Sequence, residues 1–219
     1  GASRVTTPLI LFLNPDCLLQ PLAIPRLVDV LKQNSEVGMV GGLLTDELGV
    51  EQRGGRRAIP TLRHALLNLF GLSRFFGDFN LHKQPLPEAP MEIEAISGAM
   101  MLVRREVFIA VKGFDEKYFL HCEDLDLCMQ ICQQGWKIYF VPDAVAIHRQ
   151  GACSRSRPLF VSWNKHKGML RFYKKFSQAR YSVLLTCLVT AGIGLRFGIV
   201  VIRHILIQQF PKLIRARDV

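Results

Sequence analysis

Five apolar residues, Leu9–Leu13, run unbroken into Asn14-Pro15-Asp16, a pattern that predicts a buried strand closed by a proline turn. Pro21 opens a predicted helix over Leu22–Gln33, apolar near one face and stopped by Asn34. Val37–Leu44, rich in Val and Gly, predicts a second buried strand before a Thr-Asp-Glu-Leu-Gly turn. Arg53-Gly54-Gly55-Arg56-Arg57 reads as a loop, Thr61–Leu72 as a short amphipathic helix capped by Thr61, and 77–92, with three prolines, as a flexible loop. Glu94–Val103 predicts strand, glycine turn, strand; Arg104–Val111 predicts a helix ending at Lys112-Gly113. Tyr118–Leu120 reads as a short aromatic strand, and Glu123–Gln134 as a helix with Leu125, Cys128 and Cys132 on one face and Gly135 as its stop. Lys137–Val141 and Ala144–His148 read as two short strands.

Strands alternating with helices predict an α/β layered domain with a mostly parallel sheet. Ligands of such sheets sit in the crevice beyond the carboxyl ends of the strands. Asp16 and His148 each follow a predicted strand, and Asp124 follows Tyr118–Leu120, so the three are placed to share one site.

The pattern changes from Ser162. Trp163–Phe176 is a basic, aromatic helix, and Val183–Ile202 is apolar apart from Arg196. That second run matches the roughly 20 apolar residues that cross a bilayer. A central arginine costs about 2.5–3.5 kcal/mol, and each Leu, Ile, Val or Phe offsets about 0.3–0.6, so the balance is marginally favourable. Arg196 lies near one end of the run and can snorkel. A membrane span, an in-plane helix pair and a buried helix or oligomer interface all stay open. Gly194-x-x-x-Gly198 could pair helices in a homo-oligomer.

Length and composition narrow the classes. A chain of 219 residues with 49% hydrophobic and 21% charged residues is neither disordered nor polytopic. The pattern divides it into a first part, 1–160, and a helical, membrane-associating segment, 161–219. Residues 1–164 carry 17 Lys/Arg and 17 Asp/Glu, whereas 165–219 carry 11 basic residues and one acid, Asp218. The net charge of +10 therefore sits in the last quarter and asks for an anionic partner. Long apolar runs among those bases favour a lipid surface over nucleic acid. The six cysteines form no Cys-x-x-Cys pair and fit no zinc framework, which favours buried thiols in a reducing compartment over disulfides. Gly1-Ala2-Ser3-Arg4 leads straight into the first strand-like run, so no signal peptide is read there.

The candidate chemistry lies in carboxylates and one imidazole. Pro15 stiffens the turn that presents Asp16, and magnesium is commonly held by one or two carboxylates plus substrate phosphates. Asp124 begins a helix, where the macrodipole favours its charged form and neighbouring Glu123 opposes it, raising the pair's proton affinity. The same two residues also read as helix caps. His148 reads either as a ligand or as a hydrogen-bonded structural histidine, and Ser97-Gly98-Ala99 either as a ligand-facing turn or as a plain tight turn. Trp136 reads as core and Asp126 as structural; Arg155 and Arg157 could clamp a diphosphate or form a solvated loop.

Ser97-Gly98-Ala99-Met100-Met101-Leu102-Val103-Arg104-Arg105, Gly113-Phe114-Asp115-Glu116, Glu123-Asp124-Leu125-Asp126-Leu127-Cys128, Gly135-Trp136-Lys137-Ile138, Val141-Pro142-Asp143-Ala144 and His148 occur in that order. Together they resemble the inverting, nucleotide-sugar-dependent glycosyltransferases of the GT-A fold, in particular the bacterial rhamnosyltransferase-like branch. The resemblance runs from about Leu9 to Pro158. It implies a partial GT-A, Rossmann-like sheet and transfer of a sugar such as rhamnose from a nucleotide-diphosphate donor to a lipid-linked or polysaccharide acceptor, with inversion. It also implies Mg2+ or Mn2+, with Asp16 and His148 as metal ligands and Asn14 toward the nucleotide. Asn14 replaces an acid that is frequent there in the family, and it still can hydrogen-bond ribose or phosphate. Asp124 would be the general base, Glu123 would orient acceptor or base, and Ser97, Gly98 and Ala99 would lie beside the donor sugar.

The implied place of work is the cytoplasmic face of a bacterial inner membrane, as a peripheral or single-pass protein. The family's domain normally opens with strand–helix units ahead of the acidic turn, and this chain starts almost at that turn. The expectation is that those nucleotide-binding units are missing or come from another chain. A catalytically inactive, membrane-associated remnant or binding module is the second reading.

Overall fold

The computed structural model describes residues 4–60, 79–149, 157–176 and 183–209. The predicted helix Thr61–Leu72 and the candidate Arg155 lie outside them. The strands are β1 Leu9–Leu13, β2 Cys17–Leu19, β3 Val37–Thr45, β4 Arg56–Arg57, β5 Met91–Glu92, β6 Ala95–Ile96, β7 Met100–Arg104 and β8 Lys137–His148. The helices are α1 Ala23–Gln33, α2 Arg105–Ala110, α3 Glu123–Gln133, α4 Pro158–Phe176 and α5 Val183–Gln209.

The main sheet has the order β1-β7-β3-β8-β2, with β5 also on β8. It is mixed, which corrects the expectation of a mostly parallel sheet. Among the described strands only β3 and β8 pair in parallel; β7 lies antiparallel between β1 and β3, and β2 lies antiparallel beside β8. β7 sets out from the end of the sheet where β3 stops and runs back antiparallel to it. The carboxyl ends of β1, β3 and β8 and the amino end of β7 consequently share one rim of the sheet.

α1 covers one face. Its Leu27, Val30 and Leu31 are buried with Val37, Val40 and Leu44 of β3, Leu102 of β7 and Ala146 of β8. Each fully buried Leu or Val there contributes about 1.5–3 kcal/mol. The helix starts at Ala23 rather than at Pro21–Leu22, because Leu22 takes a left-handed conformation with φ 66°. Asn34 ends it as predicted, its Nδ2 donating to the Val30 carbonyl at 2.9 Å. α3 packs against β6 and β8, with Leu127, Cys128 and Ile131 fully buried. Gly135, at φ 83°, terminates α3 as read from the sequence, a conformation only glycine takes without strain.

Four local expectations need correction. Lys137–Val141 and Ala144–His148 form one strand, interrupted by a bulge: Gly42 pairs with Val141 and Leu43 with Val145. Gly42 permits this, since a Cβ there would lie 2.0 Å from the Ala144 carbonyl oxygen. Tyr118–Leu120 is no strand, because His121 and Cys122 both adopt positive φ and turn the chain into α3. The loop read at Arg53–Arg57 contains β4, which pairs with β6. Trp136 is half-buried, stacked over Gly38 rather than enclosed in the core.

The described residues separate into two units. The first holds the sheet and α1–α3. The second holds Tyr118–Cys122, α4 and α5, with α4 packed on α5 through Trp163 and Phe197, whose rings lie 5.1 Å apart. In α5, Val183–Ile207 is long and apolar enough to cross a membrane, with mean hydropathy 2.1 and 6% of it buried. The thiols of Cys17, Cys122, Cys128, Cys132 and Cys187 are all reduced, and the first three are buried.

Candidate active site

Strand polarity places the candidate residues. β1 delivers Asn14 to the rim, where its N–H donates to the Ala99 carbonyl at 2.9 Å. The chain then turns through Asp16 into β2, whose Cys17 pairs with His148 at the end of β8. His148 Nε2 lies 3.3 Å from Asp16 Oδ1, and the side chains expose 10% and 19% of their surface. Asp16, Cys17 and His148 offer ligand atoms within 4.8 Å of one another. Two ligands of one octahedral ion with bonds of about 2.1 Å stand about 3 Å apart at adjacent positions, so the carboxylate–imidazole pair fits a hard divalent cation. The Cys17 thiol is less suited. Burial first, and then the Asp16 charge, push its pKa up to about 11, and it donates to the Ala99 carbonyl at 3.5 Å.

The second cluster forms where α3 starts at the same rim. Gly98 N–H donates to Asp124 Oδ2 at 3.1 Å, and Leu125 N–H donates to Oδ1 at 2.8 Å. Arg57 Nη2 meets Oδ2 at 2.5 Å and also donates to the Ile96 carbonyl at 2.8 Å. Burial by itself would raise the Asp124 pKa, but the Arg57 charge and these hydrogen bonds together hold it below the usual carboxylate range. Glu123 goes the other way: burial, then the charge of Asp124, raise its pKa. Its Oε2 is buried and accepts no hydrogen bond among the described residues. The rise expected for the acidic pair falls on Glu123 and not on Asp124, because Arg57 pairs directly with Asp124, whereas at Glu123 burial and the Asp124 charge outweigh its influence. Asp126 is fully buried and takes a 2.5 Å hydrogen bond from Gln130 one turn on, a structural position as read from the sequence.

Between the clusters lies Ser97-Gly98-Ala99. Ser97 Oγ accepts from Ala99 N–H at 3.2 Å, Gly98 touches Asp124, and the Ala99 carbonyl receives Asn14 and Cys17. A pocket of about 370 Å³ opens beside the turn, lined by residues that include Leu13, Asn14, Gly98, Phe114 and Glu123. Asn14, Gly98 and Glu123 thus face one cavity. Asp16 and His148 form their own cluster next to it, and Asp124 lies behind Gly98. Arg157 is exposed just ahead of α4.

Sequence reasoning missed three participants. Arg57 belongs to a run of arginines that carried no mark of its partner. Cys17 was read only as a buried thiol. Gln52 grips His148: Nε2 donates to the His148 carbonyl at 2.5 Å, and Oε1 lies 2.8 Å from Nδ1. Nothing in its neighbours singles it out.

Comparison with known proteins bears on the family and the fold. A family model described as Glycosyltransferase like family 2 matches residues 1–171. An N-acetylglucosaminyl-diphospho-decaprenol L-rhamnosyltransferase of Mycobacterium tuberculosis is 30% identical over 162 residues, 73% of this chain and 52% of its own length. The rhamnosyltransferase WbbL of Escherichia coli is 27% identical over 143 residues, 64% of this chain and 51% of its own length. The chain spans about half the length of these curated relatives. Among solved structures, GalNAc-T7 with UDP, GalNAc and Mn2+ superposes with a TM-score of 0.51 at 17% identity, covering 80% of this chain and 33% of that one. At that identity the likeness concerns the fold.

Proposed function

The chain belongs to the glycosyltransferase-like family 2, and from that premise we propose that it carries the metal- and acceptor-side machinery of an inverting, nucleotide-sugar-dependent glycosyltransferase. The donor sugar is rhamnose or a close analogue, and the acceptor is a lipid-linked or polysaccharide hydroxyl, by analogy with the two rhamnosyltransferases. The observation that carries this reading is the shared rim. One peptide turn, Ser97–Ala99, ties the Asp16–His148 pair to the Glu123–Asp124 helix start.

Asp16 and His148 would hold Mg2+ or Mn2+, which supplies Lewis-acid neutralisation of the departing diphosphate. Asn14 faces the pocket, placed to hydrogen-bond ribose or phosphate. The backbone turn at Gly98 leaves room for a sugar to approach. Asp124, ionised by its Arg57 partner, takes the proton of the acceptor hydroxyl while that oxygen bonds to the anomeric carbon and the carbon–phosphate-oxygen bond breaks. Glu123, lining the pocket, orients the acceptor. α5 and the basic residues of α4 seat the protein on an anionic cytoplasmic membrane surface, where a lipid-linked acceptor resides.

The test is transfer of radiolabelled sugar from a panel of nucleotide donors. Asp124→Asn should lower turnover by about 10²–10⁴-fold, the usual worth of a positioned base. Full activity in that variant would remove the assignment. Calorimetry with UDP or dTDP and Mn2+ addresses the inactive-remnant reading, which no binding at millimolar nucleotide would favour.

A further inference from the structure

Resting on the metal-site reading of Asp16 and His148, we propose that Gln52 is a positioning residue that fixes the His148 imidazole in its Nδ1–H tautomer and presents a bare Nε2 toward Asp16. The chain of hydrogen bonds leaves little freedom. A backbone carbonyl only accepts, so the Gln52 end facing the His148 carbonyl at 2.5 Å is the amide nitrogen. The amide oxygen therefore faces Nδ1 at 2.8 Å, and an amide oxygen also only accepts. Nδ1 must carry the hydrogen. A neutral imidazole has one, so Nε2 points a lone pair at the Asp16 carboxylate 3.3 Å away. Two acceptors facing each other at that distance call for a positive charge between them, which a metal ion supplies to the neutral ring and a proton supplies in the imidazolium.

Gln52 is itself anchored. Its backbone N–H donates to the Leu44 carbonyl at 2.8 Å, at the end of β3, which runs parallel to the strand bearing His148. Adjacent Glu51 binds Arg56 through both oxygens, at 2.7 and 3.0 Å, with side chains 9% and 2% exposed. The amide is thus a fixed template for the ring. Partners that orient a metal-binding histidine in this way are typically worth about 10–100-fold in metal affinity.

The experiment uses the full chain with ¹⁵N-labelled histidine in mildly alkaline, metal-free solution. Long-range ¹H–¹⁵N spectra report the tautomer, and His148→Gln identifies the signal. Mn2+ binding is followed separately by electron paramagnetic resonance of the free ion. Wild type should show the Nδ1–H pattern. Gln52→Met, which lacks both amide groups, should shift His148 toward the Nε2–H form and weaken Mn2+ binding about 10–100-fold. Gln52→Glu keeps an oxygen for Nδ1–H and should retain both the tautomer and most of the affinity. A wild-type ring protonated at Nε2, or a Gln52→Met protein with unchanged tautomer and affinity, overturns the proposal. The expected tautomers with no Mn2+ binding in wild type would uphold the Gln52 assignment and sink the metal reading instead.

Discussion

Arg57 decides the chemistry of the acidic helix start, because it pairs directly with Asp124 and acts on Glu123 too weakly to offset burial. Asp124 has a folded pKa below its ordinary value, so its ion pair stabilises the fold above about pH 4 and loses that effect as pH falls through the lowered value. Arg57→Met should cost about 3 kcal/mol at neutral pH, the low end for orphaning one partner of a buried pair, since the two side chains expose 12% and 13% of their surface. Burial then dominates Asp124 and its pKa rises, so the deficit should shrink in acid. Urea unfolding of both proteins in neutral and acidic buffer checks the sign, and a deficit independent of pH would refute it. Glu123 behaves oppositely, since burial raises its folded pKa and a buried charge at neutral pH costs stability. Glu123→Gln should therefore raise the thermal midpoint at neutral pH, with the gain fading as pH falls into the carboxylate range. If Glu123 orients the acceptor, the same variant should transfer sugar more slowly. A stabilised protein of undiminished activity would leave Glu123 without a functional role.

At the scale of elements, the bulge in β8 sets the height at which His148 meets the rim. It exists because Gly42 lets the Ala144 carbonyl close to where a side chain would stand. Gly42→Ala should cost about 1–3 kcal/mol or more through overpacking against backbone, and by moving the end of β8 it should also weaken Mn2+ binding. Denaturant midpoints and metal titration of one sample read both effects. Strands and helices with a clear period were legible in the sequence: β1, β3, α3 and the Gly135 stop follow directly from apolar runs and a glycine. The bulge was not, since Pro142-Asp143 reads as a break unless the opposing Gly42 is known. The antiparallel course of β7 was equally hidden, because Met100–Arg104 is apolar enough to serve in either direction. Asp16 and His148 were legible as candidates through their places after β1 and at the end of β8, and Asp124 through its place in a helix's first turn and its resemblance to a family, since Tyr118–Leu120 ahead of it is no strand. Arg57 and Gln52 were not, because their roles arise from β4–β6 pairing and from the end of β3, long-range geometry that leaves no local pattern.

The whole molecule joins a near-neutral α/β unit to a basic, apolar helical one. α5 exposes Leu184, Leu188, Leu195 and Ile199, and 165–219 carries 11 bases against one acid. Full-length protein should float with vesicles containing anionic lipid. If surface electrostatics dominate, each basic residue near the surface adding about 1 kcal/mol, high salt should release it. Retention in high salt would point to inserted apolar helix, and failure to float with any vesicle would rule out the membrane reading. The Ala99 carbonyl offers a different lesson. It is a single peg from which Asn14 and Cys17 both hang, while the N–H of the preceding residue, Gly98, grips Asp124. A tilt of that short stretch would displace donor-side and acceptor-side groups in concert. Adaptation to a new sugar or acceptor should therefore leave residues 97–99 alone and work through the side chains around the cavity mouth.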